Sequence, residues 1–175
     1  MSEKLPSPEE AMKILRESGC SLNVIRHCEA VAQTAVRIAK KCVENGANVD
    51  IDLIYIGALL HDLGRSETHG TDHPIVGAKI ARSKGLPQKI IRIIERHLGG
   101  GVSAEEACEL NWPKGAYIPE TLEEKIVTYA DKLVEGECLV PIERTIQKLK
   151  GKLGETHPSI KRIESLHKEI SKLCK

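Results

Sequence analysis

Phenylalanine is absent from this chain, and its 175 residues include one Trp and three Tyr. The core must therefore be built from Ile, Leu, Val and Ala, which suits interdigitating helices, and stacking platforms for unpaired bases are sparse. No charge of one sign dominates: 26 Lys and Arg face 25 Asp and Glu, a formal net charge of +1. That excludes bulk electrostatic attraction to nucleic acid and leaves partner choice to local features. The six cysteines, at 20, 28, 42, 108, 138 and 174, make no C-x-x-C pair and no zinc-finger spacing. No apolar run approaches the ~18 residues of a membrane span. The opening Met-Ser-Glu-Lys-Leu-Pro-Ser-Pro has no leader-like hydrophobic stretch. The expectation is a protein of a reducing cytoplasm without a membrane partner, folded as one domain over residues 1–175.

What is present is helical periodicity. Apolar residues recur at three- and four-residue steps almost throughout, while period-two alternation bounded by turn residues is missing, so an all-α bundle is expected. Pro8 opens a short helix stopping near Ser18-Gly19, and Ser21 caps a long one running to Asn45-Gly46 with Val24, His27, Val31, Ala35, Ile38 and Cys42 on one stripe. A third begins near Asp50 and ends at His61-Asp62, with Gly64 as its stop. A fourth starts around Asp72-His73-Pro74, with His73, Val76, Gly77 and Ile80 on one side, and the next runs from Pro87 through Ile90, Ile94 and His97 until Gly99-Gly-Gly101 breaks it. Residues 98–120 are the least regular and read as a lid or a connector. Thr121-Leu-Glu-Glu124 reads as a capping box for a helix aligning Val127, Asp131 and Val134. Two amphipathic helices over roughly 141–153 and 158–173 complete the chain.

Against that background the doublet His61-Asp62 requires an explanation. It follows the near-continuously apolar Ile51-Asp-Leu-Ile-Tyr-Ile-Gly-Ala-Leu-Leu60, where an unpaired polar group is costly to bury. A bound cation removes the cost. With His27 upstream and Asp131 downstream, the doublet completes an ordered set of imidazole nitrogens and hard carboxylate oxygens, a mixture suited to Mn, Fe, Co, Ni or Zn. A single inward histidine is more often a hydrogen-bonded core residue, but an ordered quartet on inward faces and helix ends is not. His73 and His97 lie on inward faces of their own helices between the doublet and Asp131.

The ordered set His27, His61-Asp62, Asp131 resembles the signature of the HD superfamily of metal-dependent phosphohydrolases. The segments His27-Cys-Glu-Ala-Val-Ala, Leu60-His-Asp-Leu-Gly, His73-Pro-Ile-Val-Gly-Ala, Ile94-Glu-Arg-His97 and Tyr129-Ala-Asp-Lys132 look like its dinuclear nucleotide-hydrolase subgroup, which includes symmetrical diadenosine tetraphosphate hydrolases. The resemblance implies an HD-domain helical bundle with its core at about 21–134 and a C-terminal helical extension at about 141–173. It also implies that His27, His61, Asp62 and Asp131 hold one divalent ion and that Asp62 bridges to a second held by His73 and His97. The chain departs from that subgroup at Leu98-Gly-Gly-Gly and in the longer 98–120 segment, where substrate would be selected. A nucleotide is implied, therefore, rather than that substrate.

The reaction expected is hydrolysis of a phosphate ester or anhydride, with a bound water made acidic enough to supply hydroxide near neutral pH. Arg65 and Lys132 adjoin the ligands and are candidates to hold phosphate oxygens, as to a lesser degree are Arg26 and Arg96. His69, in the loop after the doublet, is a candidate proton donor to the leaving group. His157 and His167 read as surface residues. Alternatives are a di-iron oxygenase of the HD type and a non-catalytic nucleotide-binding sensor or adaptor. The basic stretch 144–175 is a possible nucleic-acid contact or simply a solvated face that closes the bundle or pairs with a second copy.

Overall fold

Buried aliphatic side chains dictate a helical architecture, and the computed structural model of the chain shows it over the described residues, 4–175. Residues 1–3, where the segment expected to lack a leader begins, lie outside them. The helices are α1 (Pro8–Glu17), α2 (Leu22–Glu44), α3 (Ile51–Leu60), α4 (His73–Ser83), α5 (Gln88–Glu95), α6 (Ala104–Glu109), α7 (Leu122–Lys132), α8 (Ile142–Leu153) and α9 (Pro158–Leu173). Ser21 and Asp50 start α2 and α3 as N-caps, accepting from the amides of Val24 and Leu53.

Helix α3 is the axis. It is apolar almost all round, buries seven of its ten residues and packs against α1, α2, α5 and α7. Helix α5 turns Ile90, Ile91, Ile93 and Ile94 inward, each contributing roughly 2 kcal/mol relative to exposure. The stripe of α2 runs through Val24, Cys28, Val31, Ala35, Ala39 and Cys42; His27 and Ile38 sit at its flanks, half-buried. On α4 the buried side is His73, Pro74, Gly77, Ala78 and Ala81, with Val76 and Ile80 at its edge.

Gly64 is not a helix stop. Helix α3 ends at Leu60, and a 3-10 turn, Leu63–Ser66, carries Gly64 against the first turn of α4. A Cβ at Gly64 would stand 1.8 Å from the His73 carbonyl oxygen and 2.6 Å from the Gly77 nitrogen. Two glycines thus let backbone meet backbone and bring His73 beside the doublet.

The capping box at α7 is half-formed. Thr121 Oγ1 accepts from the Glu124 amide, but the Glu124 carboxylate accepts from the Glu120 amide and from Arg96 Nη1 at 2.9 Å. Arg96 therefore belongs to a partly buried ion pair that ties α5 to α7. Glu124→Ala would leave that guanidinium only the exposed Glu120 and should cost about 2 kcal/mol of stability, read from a urea midpoint shift at constant slope.

One element had no periodicity to announce it: a two-stranded antiparallel hairpin, β1 (Val134–Glu135) and β2 (Cys138–Leu139), turning at Gly136 with φ 62°. Residues 98–120 form a small packed lobe in which Val102, Ala107, Trp112 and Tyr117 make their own cluster. Arg162 of α9 ties it down by donating to the Gly101 carbonyl and the Glu106 carboxylate. Gly99 and Gly100 abut Ser159 and Arg162 so closely that a Cβ on either would clash; the glycine run is a seat for α9. That helix buries Ile160, Ile163, Leu166 and Ile170, whereas α8 buries only Ile142, and Leu153 at its end is exposed.

Candidate metal centre

Three of the four central imidazoles are set by one local device. A helix end leaves carbonyls without intrahelical partners. His61, capping α3, turns Nδ1 to the Ala58 carbonyl at 2.6 Å, and His97, just beyond α5, turns Nδ1 to Ile94 at 2.6 Å. His73, opening α4, likewise turns Nδ1 to a carbonyl three residues back, that of Gly70 in the preceding loop, at 2.8 Å. His27 uses a distant partner, the Gly136 carbonyl of the hairpin, at 2.7 Å. A carbonyl can only accept, so each Nδ1 carries a proton, and each Nε2 is turned inward as the nitrogen free to bind a cation.

What these nitrogens face is Asp62. Its Oδ2 lies 3.7 Å from His61 Nε2 and 3.9 Å from His27 Nε2, while its Oδ1 lies 3.3 Å from both His73 Nε2 and His97 Nε2. Asp131 Oδ1 completes the first side, 3.0 Å from His27 Nε2 and 3.4 Å from His61 Nε2. The groups His27, His61, Asp131 and His61, Asp62, His97 each bring three ligand atoms within 4.8 Å of one another. The structure thus gathers all six residues singled out as ligands, with a two-oxygen carboxylate between two sets of imidazoles.

Two observations fit cations at this centre. Among the described residues, His61 Nε2 is fully buried and has no hydrogen-bond partner. His73 Nε2 and His97 Nε2 stand 3.1 Å apart, lone pair toward lone pair once both Nδ1 atoms are protonated. A divalent ion satisfies both; neutral protein alone does not. The donor set, imidazole and carboxylate without thiolate, suits a first-row divalent ion. Cys28, though fully buried next to His61, is kept as a thiol because burial pushes its pKa up.

Electrostatics agree. Burial opposes ionisation of Asp62 most strongly, yet the charge of His61 and then the adjoining His73 and His97 rings hold its carboxyl well below the usual range. For Asp131, burial is likewise overcome, first by the Lys132 ammonium and then by His27 and His61. Burial acts against protonation of His61, but the adjoining Asp62 carboxylate raises its pKa well above that of a free imidazole. Burial foremost pushes His97 down to about 4. Without metal, a proton on His61 therefore substitutes for the cation at neutral pH. Metal loading must expel that proton, so affinity should fall as pH falls, and calorimetry in buffers of different ionisation enthalpy should show proton release. Heats independent of buffer at pH 7 would contradict this.

Arg65 donates Nε to Asp62 Oδ2 at 3.0 Å and Nη1 to the His69 carbonyl at 3.3 Å, and its side chain stays partly exposed. His69 stands exposed in the loop between the doublet and α4. Lys132 is buried instead of facing solvent; its Nζ donates to Asp131 Oδ2 at 2.5 Å and to the His97 carbonyl at 3.0 Å. Both bonds place it behind the ligands, where it aims Asp131 Oδ1 at His27 and His61. Arg26 is exposed on α2. His157 and His167 are not free surface residues: His157 N-caps α9, and His167 Nδ1 pairs with the Tyr129 hydroxyl at 2.7 Å. Gly136 was missed as a functional residue; its only signal is a glycine leading a two-residue hairpin loop.

Fold and site together define a helical protein organised around four imidazoles and two carboxylates. It belongs to the HD domain family, whose model matches residues 24–135. The chain is 48% identical over 167 residues to the uncharacterized protein MJ0778 of Methanocaldococcus jannaschii, covering 95% of this chain and 98% of that one. It is 39% identical over 170 residues to a tRNA (cytidine(56)-2'-O)-methyltransferase of Picrophilus torridus, covering 97% of this chain but 48% of the methyltransferase. A Ribonuclease Y of Pseudothermotoga lettingae is 29% identical over 138 residues, 72% of this chain and 25% of that protein. Against the methyltransferase, then, the chain spans about half the relative's length, and against the ribonuclease a quarter. Among solved structures, the HD domain of the L. monocytogenes phosphodiesterase PgpH, in complex with cyclic-di-AMP, matches with a TM-score of 0.57 at 22% identity, over 93% of this chain and 94% of that one. No helix among the described residues is long and apolar enough to cross a membrane.

Proposed function

We propose that the protein is a dinuclear metal-dependent phosphohydrolase acting on a phosphate ester or anhydride of a nucleotide, with residues 1–175 working as one HD domain. The observation that carries this reading is the division of Asp62, Oδ2 toward His27 and His61 and Oδ1 toward His73 and His97. When bound, the cations supply Lewis acidity and lower the pKa of water toward neutrality. The protein's own part is positional. Backbone carbonyls lock four rings, Lys132 orients Asp131, and the buried α3 axis holds the doublet still, so little reorganisation is left for the reaction. Arg65, partly exposed and paired with Asp62 Oδ2, is a cation suited to a non-bridging phosphate oxygen. His69, on the exposed loop, is within the segment from which a proton can pass to a leaving oxygen. The nucleotide reading is supported by the structural likeness to the PgpH HD domain, which was crystallised with cyclic-di-AMP.

RNA as the bearer of the phosphodiester is a second reading, favoured by the likeness to part of a tRNA methyltransferase and of a Ribonuclease Y and by the basic stretch 144–175. The test is product release from nucleotides, cyclic dinucleotides and short RNAs with Mn, Co or Fe added. Turnover of a nucleotide supports the proposal, and turnover of RNA alone supports the second reading. Binding without product identifies a sensor, and turnover that requires dioxygen identifies an oxygenase; either overturns the hydrolase assignment.

A further inference from the structure

The end of α9 is fastened to α2. Asn45, capping α2, donates Nδ2 to the Leu173 carbonyl at 2.9 Å and to the Lys175 carbonyl at 2.5 Å. Between those two carbonyls, Cys174 places its Sγ 2.6 Å from Cys42 Sγ, a residue 132 positions earlier in the chain. Two unbonded sulfur atoms do not normally come this close, and a covalent S–S bond is about 2.05 Å long. The other cysteines are differently placed: Cys20 and Cys28 are buried near the doublet, and Cys108 and Cys138 are exposed. Cys42 is fully buried, while Cys174 is partly exposed at the end of α9.

We infer that Cys42 and Cys174 are a disulfide-forming pair that clamps the end of α9 to α2 when the protein meets a low-molecular-weight disulfide. Cys174 is the sulfur a small reagent reaches first. Burial, and then the neighbouring Cys174 sulfur, pushes the Cys42 thiol up to about 12, so Cys42 is the resolving partner and not the first nucleophile. The Cys174 thiolate attacks one sulfur of the small disulfide, forming a mixed disulfide and releasing one small thiolate, which takes up a proton. Cys42 then gives up its proton and attacks Cys174 Sγ, expelling the second small thiol. Two protein thiols are oxidised by two electrons, and the small disulfide is reduced to two thiols. The clamp matters beyond this contact because α9 also carries Ser159 and Arg162, which seat the glycine run that follows His97-Leu98.

The test uses the full chain equilibrated with oxidised glutathione, then alkylated and digested without reduction. A peptide linking Cys42 to Cys174, lighter by two hydrogens than its reduced parts, is expected in the monomer. Closing so long a loop should raise the thermal midpoint by about 10 °C, reversibly with dithiothreitol. Cys174→Ser, at a partly exposed position, should fold as the reduced protein does and show no such rise. Free, alkylated cysteines at both positions would overturn the inference. So would oxidation that stops at glutathionylated Cys174, or a cross-link between the Cys174 residues of two chains. The result is independent of any hydrolytic activity.

Discussion

Asp62→Ala should strip the protein of bound metal and lower kcat/KM by about a thousandfold or more, roughly 4 kcal/mol of transition-state stabilisation. The size follows from the position of this carboxylate. Asp131 faces only the His27 and His61 side, and His73 and His97 only the other, whereas Asp62 presents one oxygen to each. Removing it unpairs both sides at once and leaves His61 Nε2, without a hydrogen-bond partner among the described residues, facing Asp131 Oδ1 at 3.4 Å. Asp62→Asn sharpens the test, since the amide keeps the shape but loses the charge. Metal content per chain and steady-state rates measured on the same preparation decide the matter. A variant that retained its full metal and its rate would break the link between the doublet and the chemistry.

Gly64→Ala should be nearly as damaging, although Gly64 has no side chain and touches no substrate. The added methyl would stand 1.8 Å from a backbone oxygen, and backbone cannot rotate away as a flexible side chain can. Overpacking of this kind costs roughly 3 kcal/mol, visible as a lowered urea midpoint. The way it relaxes has a second consequence. The atom in the way belongs to His73, so the 3-10 turn and α4 must separate, and His73 Nε2 must leave Asp62 Oδ1. A displacement near 1 Å at a reacting centre costs about a hundredfold in rate. The expected outcome is a folded but weakened protein with metal lost first from the His73 and His97 side. Wild-type stability would show that the close approach is not required.

The contrast between these two residues shows what sequence reading reaches. The doublet was visible because polar groups directly after a buried apolar run demand a partner, and the four histidines because each sits on an inward face or at a helix end. Local signals, Ser21 as a cap and Asp50 as the start of the third helix, placed helix starts within a residue. Gly64 was misread as a stop because a glycine after a helix carries that meaning more often than it marks a backbone contact with a helix not yet formed. The Gly136 carbonyl behind His27, the Glu124 carboxylate shared between Arg96 and Glu120, and the glycine seat for α9 are all contacts between segments far apart in the chain. Periodicity holds no trace of them. Lys132 was legible as a neighbour of Asp131 but not as buried, since only the packed fold shows an ammonium held by a carboxylate and a helix-end carbonyl.

The central claim is that one carboxylate divides the centre into two cation sites. Anomalous diffraction from crystals soaked in manganese, recorded at the manganese edge, addresses it most directly. Two peaks are expected on either side of Asp62, one nearest His27, His61 and Asp131, the other nearest His73 and His97. No peak within coordinating distance of Asp62, or a single peak that stays single at saturating manganese, would contradict the account.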